Sequence, residues 1–79
     1  MKLNIEFMGS LRRPKNYDRI ITIDLPDNST LKDLLKLLDY SDHEIRMLLA
    51  FRKDGSKIIK KDILQDGESL FLTIPIGGG

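Results

Sequence analysis

Apolar and polar residues alternate in two segments near the start of the chain, residues 2–8 and residues 19–25. A period of two is typical of strands that bury one face, and the second segment is rich in β-branched side chains, which suit a sheet. The residues between them, 9–18, mix Gly, Ser, Pro and Asn with basic residues and predict a long hairpin connection. The apolar set expected to face the core is Leu3, Ile5, Phe7, Ile21, Ile23 and Leu25.

A helix is predicted after the second strand. Residues 26–30 (PDNST) interrupt the alternation, and Thr30 followed by Asp33 resembles an N-terminal capping box. Four leucines then recur at i, i+3, i+4 and i+7, which indicates an amphipathic helix of about nine residues with one face on a sheet. Because so short a helix is not stable alone, packing of this stripe must hold it. The stripe consists of Leu31, Leu34, Leu35 and Leu38.

The second half of the chain predicts three more strands. Residues 40–45 are polar and predict a turn, and two Asp-Gly pairs, Asp54-Gly55 and the one within residues 65–68, predict turns between strands. The element order is therefore ββαβββ, an α+β fold in which one helix packs on one face of a single mixed sheet. The strands predicted in this half are residues 47–51, 57–61 and 70–76.

Composition limits the classes of function. A chain of 79 residues with 41% apolar residues makes one small domain without room for a second core, which excludes a multidomain enzyme and favours a binding or carrier module. The absence of cysteine excludes disulfides, cysteine-ligated zinc and thiol chemistry on the chain itself. No apolar run approaches the roughly 18 residues of a membrane span, and the first residues do not resemble a signal peptide. We expect a cytoplasmic protein without a membrane partner.

Charge gives little indication of a specific site. The net charge of +1 does not favour nucleic acid as a partner. The basic residues between positions 52 and 61, and those of the first loop, lack interleaved aromatic side chains, so we interpret them as a solvated rim. His43 stands alone without a second ligand at metal spacing, and no metal or catalytic constellation is predicted.

The last sixteen residues carry the most specific pattern. A leucine precedes an Asp-Gly-Glu turn at residues 66–68, an apolar strand, a proline, and two glycines at the end of the sequence. This pattern resembles the β-grasp sulfur carriers, namely the small subunit of molybdopterin synthase and the thiamine-pathway sulfur carrier. It is also similar to the ubiquitin-related modifier and the small archaeal modifier proteins. Three positions depart from the family pattern, namely Arg52 in place of Asn, Ile74 in place of Pro, and Gly77 in place of Ser, Thr or Ala.

The resemblance implies a ubiquitin-like carrier, with a β-grasp domain at residues 1–76 and a flexible glycine tail at residues 77–79. An E1-like enzyme would use ATP to adenylate the carboxylate of Gly79, which would then become a thiocarboxylate or join a lysine of a target protein. A synthase large subunit or a sulfurtransferase is a further expected partner. The chain itself would be no enzyme and would bind no cofactor. The tail residues that the activating enzyme would recognise are Pro75, Ile76, Gly77 and Gly78.

Two apolar segments also predict a docking surface on the helix-free face of the sheet. If the even-numbered residues of the last strand face the helix, Phe71 and Thr73 face outward, and Met47 and Leu49 of the third strand join them. Alternatively, Phe71 packs under the first loop, or the register differs by one residue. The rival function is a non-covalent β-grasp interaction module, a scaffold or RNA-binding domain with an incidental glycine tail.

Overall fold

In the part of the chain that the structure describes, five strands form one mixed sheet in the order β2-β1-β5-β3-β4, with β1 and β5 parallel at its centre and the other pairs antiparallel. The structure, a computed structural model, describes residues 1–75. The predicted α+β architecture, a mixed sheet with a helix packed on it, is confirmed. The elements are β1 (Lys2–Phe7), β2 (Ile20–Asp24), α1 (Leu31–Leu37), α2 (Asp42–Met47), β3 (Leu49–Arg52), β4 (Lys57–Ile58) and β5 (Ser69–Thr73).

The core lies between the inner face of the sheet and α1. All four leucines of the predicted helical stripe are fully buried, as are Leu3 and Ile5 of β1. The capping box also forms, because the Thr30 side chain accepts a hydrogen bond from the Asp33 amide and the Asp33 carboxylate accepts one from the Thr30 amide. The periodicities in the sequence therefore identified the first two strands, α1 and the core.

The predicted turn at residues 40–45 is wrong, because a second helix, α2, occupies most of it. Ser41 and Glu44 form a second capping box, and Ile45 packs into the core. A helix of six residues that buries one side chain shows no apolar stripe, so periodicity could not reveal it. The third strand consequently begins at Leu49 rather than at Met47, which ends α2.

Two other strands are shorter than predicted. The segment predicted as residues 57–61 pairs only over Lys57–Ile58, and Ile59 beyond it is exposed. The last strand ends at Thr73, so Ile74 and Pro75 continue beyond the ladder. Ile76 and the predicted tail, residues 77–79, lie outside the described residues.

The Asp-Gly-Glu turn fastens the start of β5 beside β1. Gly67 has φ +82°, a conformation that favours glycine, and its amide donates to the Lys2 carbonyl at 2.7 Å. The Lys2 amide in turn donates to the Asp66 carboxylate at 2.7 Å. These bonds set the parallel register in which Asn4 lies opposite Ser69. The turn that carried much of the family resemblance thus holds the two central strands together.

Within residues 1–75, neither helix has the length or the hydrophobicity needed to cross a membrane.

Candidate functional site

The helix-free face of the sheet, here called the outer face, carries an apolar row along β3 and β5. The antiparallel register places Leu49 opposite Thr73 and Phe51 opposite Phe71, and all four side chains are half-buried. The residues that alternate with them, among them Leu72, point into the core. The one-residue register shift is therefore excluded, and the structure brings Leu49, Phe71 and Thr73 together on one surface.

Charged and exposed side chains surround this row. Glu6 lies beside Phe71 on β1 and forms an ion pair with Arg19 at 3.1 Å, and Lys57 of β4 lies opposite Phe51. Ile20 of β2 is 56% exposed and lies across β1 from the row. An apolar centre with a polar rim is the usual anatomy of a protein interface.

Sequence reasoning missed two residues of the outer face. Phe51 was detectable, because it lies two positions after Leu49 in the same apolar run and therefore shares its side of the strand. Ile20 was not detectable from its own segment, because its position relative to the row depends on the pairing of three strands.

The first loop does not cover Phe71. Leu11 and Pro14 of this loop are buried, and the ring of Tyr17 stacks on Phe7, with 6.1 Å between ring centroids. Phe7 belongs to the inner face of β1, so the loop packs at the helical side of the sheet. The outer face is left uncovered by this loop.

Met47 occupies a different surface from the predicted one. It ends α2, is 50% exposed, and lines a shallow depression of about 300 Å³ together with Leu11, Ile74 and Pro75. The prediction that it shares a strand face with Leu49 is wrong, because the backbone changes from helix to strand between the two residues. Met47 nevertheless lies beside the last described residues of the chain.

An ion pair forms one rim of this depression. Arg12 donates from Nε and Nη2 to the two oxygens of Glu44, both at 2.8 Å, and its guanidinium lies 5.5 Å from the centre of the Tyr40 ring. The Tyr40 hydroxyl donates to the Arg12 carbonyl, and burial raises the pKa of Tyr40 to about 12. The Arg12–Glu44 ion pair thus holds the first loop against α2, next to Pro75.

The same ion pair predicts a pH dependence of stability. Hydrogen bonds from Arg12, and then from the Ser41 amide, lower the pKa of Glu44 from 4.5 to about 2. A carboxylate whose pKa is lower in the folded state stabilises the fold above its unfolded pKa, and this contribution is lost as the pH falls towards 2. We expect Glu44→Gln, which can keep the cap but not the charge, to lower Tm by about 2–6 °C at pH 7.

The measurement is thermal unfolding followed by circular dichroism from pH 7 to pH 2. The difference in Tm between Glu44→Gln and the wild type should shrink over this range and vanish near pH 2. Asp18→Asn removes an exposed carboxylate that makes no ion pair among the described residues and should leave the pH profile unchanged. A difference for Glu44→Gln that is constant with pH would contradict this assignment.

The path of the chain connects the two surfaces. Thr73 lies on the outer face, whereas Ile74 and Pro75 line the depression, so the chain leaves β5 between them. The predicted site residues Ile76, Gly77, Gly78 and Gly79 follow directly in the sequence and lie outside the described residues. In the part of the chain that the structure describes, no three His, Asp or Glu side chains are grouped as metal ligands.

The topology and the crossing helix define the β-grasp fold. SAMP1 from Haloferax volcanii is similar, with a TM-score of 0.71 and 18% identity over 100% of both chains. A protein from Pyrococcus furiosus assigned as molybdopterin converting factor subunit 1 has a TM-score of 0.72 and 14% identity, over 95% of this chain and 98% of that one.

A third similar structure is a complex of subunits 1 and 2 of the molybdopterin-converting factor from Helicobacter pylori, with a TM-score of 0.64 and 20% identity over 100% of both chains. No protein-family model matches the sequence, and a search of curated proteins gave no match. The structural similarity confirms the resemblance inferred from the C-terminal pattern at the level of the fold.

Proposed function

We propose that this protein is a ubiquitin-like carrier whose Gly79 carboxylate is activated by a separate, ATP-dependent E1-like enzyme. The observation that carries the proposal is the place where the chain leaves the sheet. It does so beside the apolar outer face and the Met47 depression, and a glycine run begins two residues after Pro75, at Gly77. Because one fold supports many functions, this arrangement and the glycine run support the proposal more than the fold does.

The chemistry takes place on the tail and not on the domain. An oxygen of the Gly79 carboxylate attacks the α-phosphorus of ATP, pyrophosphate leaves, and an acyl-adenylate forms. A sulfide-level donor then displaces AMP and leaves a thiocarboxylate for sulfur transfer to a cofactor precursor or tRNA. In the alternative outcome, a lysine amine of a target protein displaces AMP, loses a proton and forms an isopeptide bond. The domain is a substrate throughout, and the need for ATP is consistent with a cytoplasmic location.

The residue types of the tail suit entry into another protein's active site. Gly77 and Gly78 carry no Cβ, so a narrow channel can approach their backbone closely. Pro75 restricts the backbone before the glycines and lowers the entropy lost on docking, and Ile76 supplies an apolar anchor. We assign all four residues to recognition by the activating enzyme.

The outer face is the proposed docking surface for partners, with Leu49, Phe71 and Thr73 at its centre. Met47, in the separate depression beside Pro75, would contact the same partners near the tail. The Helicobacter pylori neighbour was solved as a complex of two subunits. By analogy, a synthase large subunit or a sulfurtransferase is a proposed partner of this chain, besides the E1-like enzyme.

Phe71→Ala should weaken binding of the activating enzyme about 10- to 100-fold, because aromatic side chains at the centre of an interface contribute most of its energy. Leu37→Ala is the matched control. Leu37 is 44% exposed but lies on α1, on the opposite side of the sheet, and its truncation should leave affinity unchanged. Affinity is measured by isothermal titration calorimetry, with circular dichroism to confirm that both variants are folded. Equal affinities of Phe71→Ala and the wild type would exclude Phe71 from the interface.

Intact mass spectrometry tests the proposed activity. The full chain is incubated with ATP, an E1-like enzyme of proven activity and a sulfide-level donor. Replacement of one oxygen by sulfur indicates the carrier, and conjugates formed with loss of water indicate the modifier. If neither product forms, the carrier proposal fails and the non-covalent interaction module is favoured.

A further inference from the structure

Five basic side chains line one groove on the helical side of the molecule. The groove has a volume of about 820 Å³ and lies between the two helices and the segment that follows β4. Thr30, Asp42 and Ile45 complete its lining. The basic residues come from three separate parts of the chain, namely Lys32, Lys36, Arg46, Lys60 and Lys61.

The charge of this basic groove is largely uncompensated. Asp42 supplies the single carboxylate of the lining, which leaves four net positive charges in the groove, whereas the whole chain carries a net charge of +1. Among residues 1–75, none of the five cations forms an ion pair. The Asp33 carboxylate at the start of α1 interacts electrostatically with Lys36 and Lys32 and offsets part of this charge, although it does not line the groove. The remaining excess of cations attracts anionic ligands from solution.

Lys60 is held in place at one wall of the groove. Its ammonium group donates to the Leu48 carbonyl at 2.6 Å, and burial, with a smaller effect of Lys57, lowers its pKa. An ammonium group has three donors, so two of them are left for a ligand. Lys32 and Lys36 lie four residues apart on α1 and therefore project from the same face of the helix.

The composition of the groove discriminates between two kinds of anionic partner. Protein interfaces are enriched in aromatic residues and depleted of lysine, whereas four of the five cations here are lysines and no aromatic residue lines the groove. Phosphate backbones are contacted by Lys, Arg and Thr side chains, all of which are present. The lack of aromatic residues also argues against stacking on bases.

We propose that the basic groove binds nucleic acid through its phosphates, without reading its sequence. In the sequence, Lys60 and Lys61 are close to Arg52, Lys53 and Lys57, and this cluster did not predict a binding site. The structure instead joins them to the two helices. The groove lies on the opposite side of the sheet from the outer face, so the two surfaces can be occupied at the same time. The proposal does not depend on the carrier function.

The test is fluorescence anisotropy of a labelled single-stranded RNA and a labelled DNA duplex, titrated with the full chain between about 50 and 200 mM salt. We expect weak binding, with Kd of about 10⁻⁴–10⁻⁶ M, that falls steeply with salt. Lys32→Glu combined with Lys61→Glu should weaken binding at least tenfold and reduce the log–log salt slope by about 2. Arg13→Glu combined with Lys53→Glu changes the net charge equally outside the groove and should have little effect.

Three results would overturn the proposal. Equal losses in the two double variants would show that binding follows net charge, and the absence of salt-dependent binding by the wild type would remove the site altogether. Tighter binding of poly-glutamate than of RNA would show that the groove takes an acidic protein. If Lys32→Glu combined with Lys61→Glu does not fold, Lys32→Gln combined with Lys61→Gln replaces it. Removal of Gly78 and Gly79 should not change RNA binding, which separates this proposal from the carrier function.

Discussion

Removal of Gly78 and Gly79 is expected to abolish whichever of the two proposed products, thiocarboxylate or conjugate, the full chain forms, while leaving the fold intact. The shortened chain still ends in a carboxylate, that of Gly77, but two residues span up to about 7 Å, so this group falls short of the original position by up to that distance. In-line attack on ATP requires the reacting atoms to approach within about 3.5 Å, so the reaction should fall below detection. The helices and strands of the described part of the chain, residues 1–75, do not include the removed residues, and Tm should stay within about 1 °C of the wild type.

A second variant distinguishes the effect of tail length from the effect of adding a side chain to the tail. Gly78→Ala keeps the length and adds one Cβ. This Cβ should collide with the walls of a narrow channel in the activating enzyme and slow adenylation strongly. Adenylation is measured by ATP–pyrophosphate exchange, and the end products by intact mass. Unchanged exchange by the truncated chain would contradict a role for the Gly79 carboxylate. Unchanged function of the truncated chain in cells would favour the interaction module.

Leu34→Ala should cause the largest loss of stability among these substitutions, about 2–5 kcal/mol in the free energy of unfolding. Leu34 is fully buried between α1 and the sheet, so truncation leaves a cavity. For a domain of this size the total stability is roughly 4–12 kcal/mol, so the loss is a large part of it. Tm should fall by about 10–25 °C.

Leu37→Ala is the control for this prediction. It removes the same atoms from the same helix at a position that is 44% exposed, and it should change the free energy of unfolding by less than about 1 kcal/mol. Both are measured by urea unfolding at equal protein concentration. Similar losses for the two variants would show that α1 does not pack through the Leu34 side.

The strands and α1 were predictable because their signals are local. Alternation in β1, the leucine stripe of α1 and the Thr30–Asp33 capping box each involve residues close together in the sequence. The signals for α2 were weaker. Its capping box, Ser41 with Glu44, can be read from the sequence, but a six-residue helix with one buried side chain has no periodicity to support it.

The outer face and the Met47 depression differ in how much of each the sequence shows. Phe71 and Thr73 follow from the alternation of one strand, and the register of β3 against β5 then joins Leu49 and Phe51 to them. Met47 shows the limit of this reasoning. Its place in an apolar run indicated a strand, but α2 carries it to the depression beside Pro75.

The sequence by itself determined the fold class, the buried faces of β1 and α1, and the glycine run with the turn that precedes the last strand. These depend on spacing along the chain and on the backbone geometry that each spacing favours. Only the tertiary structure decided which residues meet across elements, above all the basic groove, whose cations are up to 29 positions apart from Lys32 to Lys61. Helix packing and strand register bring them together, and neither leaves a local signal in the sequence.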